Sequence, residues 1–281
     1  MTIKTIKLFF NNRLKLAYDQ AEIEAMFYII LEKIHNLKRI DLALITDYEI
    51  PELQFSEWNL IIDKLLTHQP LQYILGSTYF FGLELMVNPA VLIPRPETEE
   101  LVDWVLSENN QKSNLKILDI GTGSGCIAIA LAKNLVNADV FAIDVSKEAL
   151  KVAQQNAINN GVSIHFINVD ILDINTLDGC FDIIISNPPY VRDAEKKGMQ
   201  RNVLDYEPHL ALFVPEHQTL IFYEKIAALA KQYLCQNGTL FFEINQYLAS
   251  ENIKILENLN FKSIHLRQDV HKNDRMIMAK L

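Results

Sequence analysis

An apolar, largely β-branched run, Phe181-Asp182-Ile183-Ile184-Ile185, is cut off by Ser186-Asn187-Pro188-Pro189-Tyr190. Proline gives no N–H to a sheet and disfavours helix in the residue before it, so this sequence predicts a buried strand that stops abruptly. Open α/β sheets bind their ligands in the crevice beyond the carboxyl ends of their strands, where Asn187 to Tyr190 are then expected. The Asn187 side-chain oxygen and the Pro188 carbonyl are two acceptors, held in fixed geometry by Pro188 and Pro189, and Tyr190 adds a ring face for stacking. Such a site suits a flat NH2 group, either an uncharged amide or an exocyclic amine. Taken alone the tetrapeptide reads as a proline-rich turn; its surroundings change that reading.

Lys116-Ile117-Leu118-Asp119-Ile120 predicts another strand, followed at once by Gly121-Thr122-Gly123-Ser124-Gly125 and by the helical run Ile127 to Ala132. Strand, glycine turn and helix in succession let backbone approach a ligand and aim helix N–H groups at it. The turn lacks the Gly-Lys-Ser/Thr of a phosphate loop, which disfavours a nucleotide triphosphatase. The next strand, Val140 to Ile143, ends in Asp144, where a carboxylate grips the two hydroxyls of a ribose. A helix from Lys147 to Asn160 closes at Gly161, and strand Ile164 to Ile167 leads to Asp170 and Ile171, placed to border an adenine ring by a hydrogen bond and by packing. To this point a dinucleotide enzyme fits equally well.

Before this region, apolar residues from about Leu14 to His68 recur at helical spacing, with Ser56 as the expected cap of the last helix; they predict a helical N-terminal domain over residues 1–70 that recognises a partner. Tyr73 to Val87 is aromatic and β-branched with glycines at its bends, which predicts a hairpin linker over 71–91 and leaves residues 92–281 as the expected second, larger domain. In Leu92-Ile93-Pro94-Arg95-Pro96-Glu97-Thr98-Glu99-Glu100, Thr98 is the expected cap of the following helix. The loop either serves helix capping alone or places Arg95 and Glu97 near a zwitterionic ligand. After Tyr190, the polar stretch around Lys196, Lys197 and Gly198 predicts a mobile loop. A helix over 218–235, strand 239–244, helix 248–259 and strands 261–266 and 276–279 complete an alternating pattern, hence a doubly wound sheet with an antiparallel edge pair.

The net charge of −9 argues against nucleic acid as the direct partner, since proteins that track a phosphate backbone carry a basic face. No apolar run reaches the roughly 20 residues of a membrane span, and the first residues do not lead into a signal-peptide pattern, so a cytoplasmic protein is expected. Cys126, Cys180 and Cys235 are odd in number, widely spaced and set among apolar residues, which predicts buried reduced thiols; no histidine or cysteine spacing predicts a metal.

Gly121 to Gly125, Asp144 and Asn187 to Tyr190, in that order on successive strands, resemble a class I S-adenosylmethionine-dependent methyltransferase. More narrowly, Ile93 to Glu99, Gln72 to Gly76 and Tyr206-Glu207-Pro208 resemble the protein glutamine N5-methyltransferases that modify peptide chain release factors, over roughly Pro70 to Arg275. The resemblance implies a seven-stranded Rossmann-like sheet and S-adenosylmethionine as donor. The acceptor it implies is the glutamine of a release factor Gly-Gly-Gln motif, met by a monomeric enzyme. It carries cofactor binding onto Gly121, Thr122, Gly123, Ser124, Gly125, Asp144, Asp170, Ile171 and Asn187, with Arg95, Glu97 and Thr98 near the methionine end. Asn187, Pro188, Pro189 and Tyr190 are then expected to hold the substrate, with Asn187, Pro188 and Tyr190 expected to be catalytic.

Two departures stand out. Asn245 replaces a glycine usual after the acid of the fifth strand; asparagine tolerates positive φ, so a left-handed turn is expected there. Near the end, Lys272 stands where a glycine is customary, which puts the edge turn in question. An alternative reading is a nucleic-acid methyltransferase acting on adenine N6 or guanine N2, since Asn-Pro-Pro-Tyr also serves exocyclic amines; the acidic balance and the helical N-terminal domain weigh against it. A non-catalytic binding protein is a further alternative, disfavoured by the intact glycine turn, ribose acid and Asn187.

Overall fold

Helices build the first part of the chain: α1 (Ile3–Leu14) precedes the stretch where helical spacing is expected, α2 (Gln20–His35), α3 (Asp41–Leu44) and α4 (Glu52–Leu66) fall in it, and α5 (Leu71–Leu75) follows it. The computed structural model describes residues 2–44 and 48–281 and divides into two units. The first runs to Gly76 and includes Gln200–Tyr206; the second comprises Ser77–Met199 and Glu207–Leu281.

In the first unit Phe10, Phe27 and Trp58 are almost fully buried and meet edge-on or tilted, with ring centroids 5.2 to 5.8 Å apart. The Trp58 indole N–H donates to His35 Nε2 at 3.0 Å, so the largest buried ring satisfies its polar atom. Ser56 is not the cap of α4. The helix begins at Glu52 after Pro51, whose φ of −60° already suits helix entry, and Ser56 lies one turn inside. Tyr206 donates its hydroxyl to the Thr67 carbonyl at 2.9 Å within this same unit.

The second unit opens on the antiparallel hairpin β1 (Ser77–Phe80) and β2 (Leu83–Met86). The hairpin starts later than the expected Tyr73 because Leu71–Leu75 is helical and stops at Gly76, which takes φ 74°. There follow α6 (Pro96–Asn109), β3 (Lys116–Ile120), α7 (Cys126–Asn134), β4 (Asp139–Asp144), α8 (Lys147–Asn159), β5 (His165–Asn168) and β6 (Phe181–Ser186). Then come α9 (Arg201–Tyr206, of the first unit), α10 (His209–Leu212), α11 (Ile221–Tyr233), β7 (Leu234–Glu243), α12 (Ala249–Asn258), β8 (Lys262–Gln268) and β9 (Asp274–Lys280). The expected helix over 218–235 thus stops at Tyr233, and Cys235 lies on the strand.

Seven strands pair in the order β5-β4-β3-β6-β7-β9-β8, parallel except for β9, which runs antiparallel to both neighbours. The mixed α/β sheet and its antiparallel edge are those expected. Alternate residues face opposite sides: Ile117, Ile183, Ile185 and Phe241 pack with α6 and α7, whereas Leu118, Ile184, Leu240 and Phe242 pack with α11 and α12. Both faces are covered, which is why these strands read as unbroken apolar runs. From β3 the chain winds outward through β4 and β5, then returns to place β6 on the other side of β3. The carboxyl ends of β3 and β6 therefore flank the point where strand order reverses, the usual place for a ligand crevice. No described helix is long and apolar enough to cross a membrane.

Several expectations are corrected here. Cys180 and Cys235 form a disulfide with Cα atoms 5.1 Å apart, and neither is fully buried. They meet because Phe181 pairs with Leu234 at the starts of β6 and β7, a neighbour relation across 55 residues that local periodicity does not reveal. Cys126 is a buried thiol, and burial pushes it up to about 12. The polar stretch around Lys196 is no irregular loop but a 3₁₀ helix over Asp193–Gly198. Asn245 has φ −66° and not a left-handed backbone; its side-chain NH2 donates to the Tyr190 carbonyl at 3.1 Å and to Glu195 Oε2 at 3.1 Å, so the position uses the amide and not a special backbone conformation. Lys272 does adopt φ 66°, in a turn closed by its N–H donating to the Asp269 carbonyl at 2.8 Å.

Candidate active site

The tip of β6 is positioned by Ser186, whose buried hydroxyl donates to the Ile120 carbonyl at 2.7 Å and ties β6 to the end of β3. Pro188 and Pro189 then release the chain from the sheet, and Val191 is anchored again by donating to the Leu212 carbonyl at 2.9 Å. Asn187 and Pro188 are thereby held at the mouth of a cavity of about 270 Å³.

The same cavity is lined by Gly121, Gly123, Asp144, Asp170, Ile171, Asn187, Pro188 and Pro189, so eight of the residues singled out from the sequence share one space. Its apolar wall includes Val145, Leu172, Phe222 and Ile226. Gly123 needs φ 55°, and Gly125 needs φ 81°; a Cβ at Gly125 would also sit 3.0 Å from Ile129 Cδ1 and 3.1 Å from Ala153 Cβ. Thr122, Ser124 and Gly125 belong to the inner side of the turn and do not line the cavity.

Hydrogen bonds freeze this turn. Gly121 and Thr122 both donate to the Ile143 carbonyl, at 2.9 and 3.1 Å, and Gly125 donates to the Thr122 carbonyl at 2.8 Å. The Gly123 N–H donates to Asp144 Oδ2 at 2.8 Å, and Ser146 N–H to Asp144 Oδ1 at 2.8 Å. The N–H groups of Gly121, Thr122, Gly123 and Gly125 are thus engaged within the protein, and what these residues offer a ligand is close backbone approach. Asp144 keeps further lone pairs toward the cavity, and burial raises its carboxyl above the ordinary value against the pull of those N–H donors. Asp170 accepts from the Leu172 N–H at 2.9 Å, which turns Ile171 and Leu172 to their place in the wall.

None of the residues from Pro94 to Glu100 lines the cavity. Thr98 is not the helix cap, because Pro96 starts α6 with Arg95 as the cap residue and leaves Thr98 in the first turn. Arg95 pairs with buried Glu207 at 2.5 Å, and Glu207 also accepts from the Ile93 N–H at 3.3 Å. This pair makes a rigid wall of the loop and engages Arg95 inside the protein. Glu99 accepts from the Phe81 N–H at 2.7 Å and ties α6 to the hairpin.

Glu243, at the end of β7, carried no signal beyond being an acid at the end of an apolar strand. It is 1% exposed and accepts from Thr98 Oγ1 at 2.6 Å and from the Tyr190 hydroxyl at 3.1 Å. Thr98 Oγ1 in turn accepts from Asn187 Nδ2 at 3.2 Å. Burial raises the Glu243 carboxyl, opposed by Thr98, Tyr190 and Arg275; burial and Glu243 together push the Tyr190 phenol well above its ordinary value. Tyr190 therefore stands as a neutral, anchored ring next to the cavity and is not part of its lining. Asn156 has no local sequence signal: fully buried on α8, it accepts from the Met86 N–H at 2.7 Å and donates to the Met86 and Ser124 carbonyls at 3.0 and 2.9 Å, linking the hairpin to the glycine turn.

Among the described residues nothing donates to Asn187 Oδ1 or to the Pro188 carbonyl. The arrangement thus presents two open acceptors to one cavity whose far lining combines a carboxylate and an apolar wall. Chemically it can hold a planar NH2 beside a ligand bound in the cavity.

Comparison with known proteins gives a consistent result. A family model described as a methyltransferase domain matches residues 111–278, and one described as a PrmC N-terminal domain matches residues 9–76. A release factor glutamine methyltransferase of Flavobacterium psychrophilum is 55% identical, covering 99% of this chain and 98% of its own length. A protein of the same description from Bacteroides thetaiotaomicron is 40% identical, covering 98% of each. Among solved structures, a methyltransferase from Pyrococcus furiosus superposes with a TM-score of 0.53 at 17% identity, over 82% of this chain and 98% of that one, a likeness of fold alone.

Proposed function

Because the chain belongs to the family of release factor glutamine methyltransferases, we propose that its cavity binds S-adenosylmethionine and that Asn187 and Pro188 present to it the side-chain amide of a release factor glutamine, in a Gly-Gly-Gln motif. The observation that carries this reading is that Asn187 and Pro188 share one cavity with Gly121, Gly123 and Asp144. We place the reaction in the cytoplasm, where release factors work.

The residues present fit the donor. Gly121 and Gly123 allow close approach of its methionine portion, Asp144 accepts from ribose hydroxyls, and Asp170, Ile171 and Leu172 border the adenine. When bound, S-adenosylmethionine supplies an electrophilic methyl group carried on a sulfonium. The chain's own part is to ready a poor nucleophile, since an amide nitrogen delocalises its lone pair into the carbonyl. Asn187 Oδ1 and the Pro188 carbonyl accept the two N–H bonds, orient the nitrogen, and strengthen their hold as positive charge grows on it. Catalysis is then positioning plus preorganised electrostatics: no side chain removes a proton beforehand, and the methylated nitrogen sheds one of its two protons to water after the transfer.

Asn187→Ala is expected to lower kcat on the order of 10²-fold, as loss of a preorganised hydrogen-bonding group does elsewhere. Labelled-methyl transfer to purified release factor, run beside ribosomal RNA and DNA, tests the reading. Label on the glutamine supports it. Label on nucleic acid instead, or Asn187→Ala working at the wild-type rate on release factor, refutes it.

A further inference from the structure

We propose that Thr98, held by Glu243, is the positioning residue that fixes which end of the Asn187 amide faces the acceptor. The inference deepens the reading above and rests on Asn187 being the group that receives the substrate amide.

The argument is one of donor and acceptor count. Glu243 accepts at both oxygens: the Thr98 hydroxyl donates to Oε2, 2.6 Å away, and the Tyr190 hydroxyl donates to Oε1, 3.1 Å away. A threonine hydroxyl has a single proton. With that proton committed to Glu243, Thr98 Oγ1 faces Asn187 as an acceptor, and it meets Asn187 Nδ2 at 3.2 Å. The nitrogen end of the Asn187 side chain is therefore held against the protein and the oxygen end is left for the substrate. Were the amide flipped, Oδ1 would lie against Thr98 Oγ1 with no proton between them. The wrong orientation loses a hydrogen bond and sets two oxygen lone pairs against each other.

Burial makes the device strict. Thr98 is 3% and Glu243 1% exposed, so water does not replace a missing partner. The chain of bonds joins the first turn of α6, the end of β7 and the tip of β6, elements whose residues 98 and 243 lie 145 apart in sequence. Thr98 does not line the cavity, so it acts on the acceptor through Asn187.

The test measures methyl transfer to purified release factor by the full-length protein, with thermal unfolding and calorimetry of S-adenosylmethionine binding alongside. Thr98→Val keeps the shape and removes the hydroxyl; the expected result is a fall in kcat on the order of 10²-fold with donor affinity and KM for the donor little changed. Thr98→Ser restores the hydroxyl and is expected to recover the rate to within about threefold of wild type. In an Asn187→Ala background, Thr98→Val should cost no more than about twofold further, because the two act as one unit. Should Thr98→Val unfold, Thr98→Ala carries the same expectations. Thr98→Val at the wild-type rate while Asn187→Ala is impaired overturns the inference and leaves the parent reading standing, as does an equal loss in both backgrounds. Asn187→Ala at the wild-type rate overturns the parent reading itself.

Discussion

Thr122 Oγ1 donates to Asp119 Oδ2 at 2.6 Å, closing the first bend of the glycine turn around a carboxyl group that has no contact with solvent. Burial pushes Asp119 up from 3.8 to about 7, with the Thr122 bond opposing the shift.

That shift has a signed consequence for stability. The unfolded chain releases the Asp119 proton near 3.8, the folded chain holds it to about 7, and between those values the folded state binds more protons. Stability from this group is thus full at acid pH and is lost as pH rises toward 7. Asp119→Asn removes the titration, so the variant is expected to gain on wild type by about 3 kcal/mol between pH 5 and pH 8. Urea unfolding of both proteins across that range checks it; curves that stay parallel contradict it.

Asn156 joins three backbone groups of two separate segments with one fully buried amide. Asn156→Ala leaves the buried Ser124 carbonyl without a donor and removes the part-buried bonds to the Met86 N–H and carbonyl, at an expected loss of about 1–3 kcal/mol. Since Ser124 belongs to the glycine turn, affinity for the methyl donor should weaken as well. Denaturant unfolding and calorimetry measure the two effects, and a loss below about 0.5 kcal/mol would show that the site readily rearranges.

The two positions that depart from the family glycines should respond in opposite directions. Lys272→Gly relieves a left-handed backbone at φ 66° and is expected to stabilise by up to about 1 kcal/mol. Asn245→Gly relieves nothing at φ −66°, loses the bonds to the Tyr190 carbonyl and Glu195, and adds chain freedom to the unfolded state; it should destabilise by about 1–2 kcal/mol. Thermal unfolding of both variants is enough, and a shift of the same sign in each would contradict the account.

Short-range chemistry was readable in the chain itself. Two prolines after an isoleucine run stop a strand wherever that strand lies, and three glycines between a strand and a helix make a turn that only left-handed backbone satisfies, so Asn187 to Tyr190 and Gly121 to Gly125 came out at strand ends. The unbroken apolar run Ile183, Ile184 and Ile185 marked a buried strand for the same reason: it depends on each residue's own backbone preference and its immediate neighbours.

Tertiary structure alone decided which buried polar groups meet. Thr98 and Asn245 were read by local rules, one as a helix cap and the other as a glycine substitute, and each is instead committed to a distant partner, Glu243 for the first and Glu195 with the Tyr190 carbonyl for the second. Arg95 finds Glu207 across 112 residues, and Cys180 finds Cys235 across 55, because neighbouring strands and helices bring them together. A buried donor or acceptor must be paired, but the composition of a segment does not say with what. The partner is chosen by how the elements pack, and in this protein that choice orients the side chain offered to the substrate.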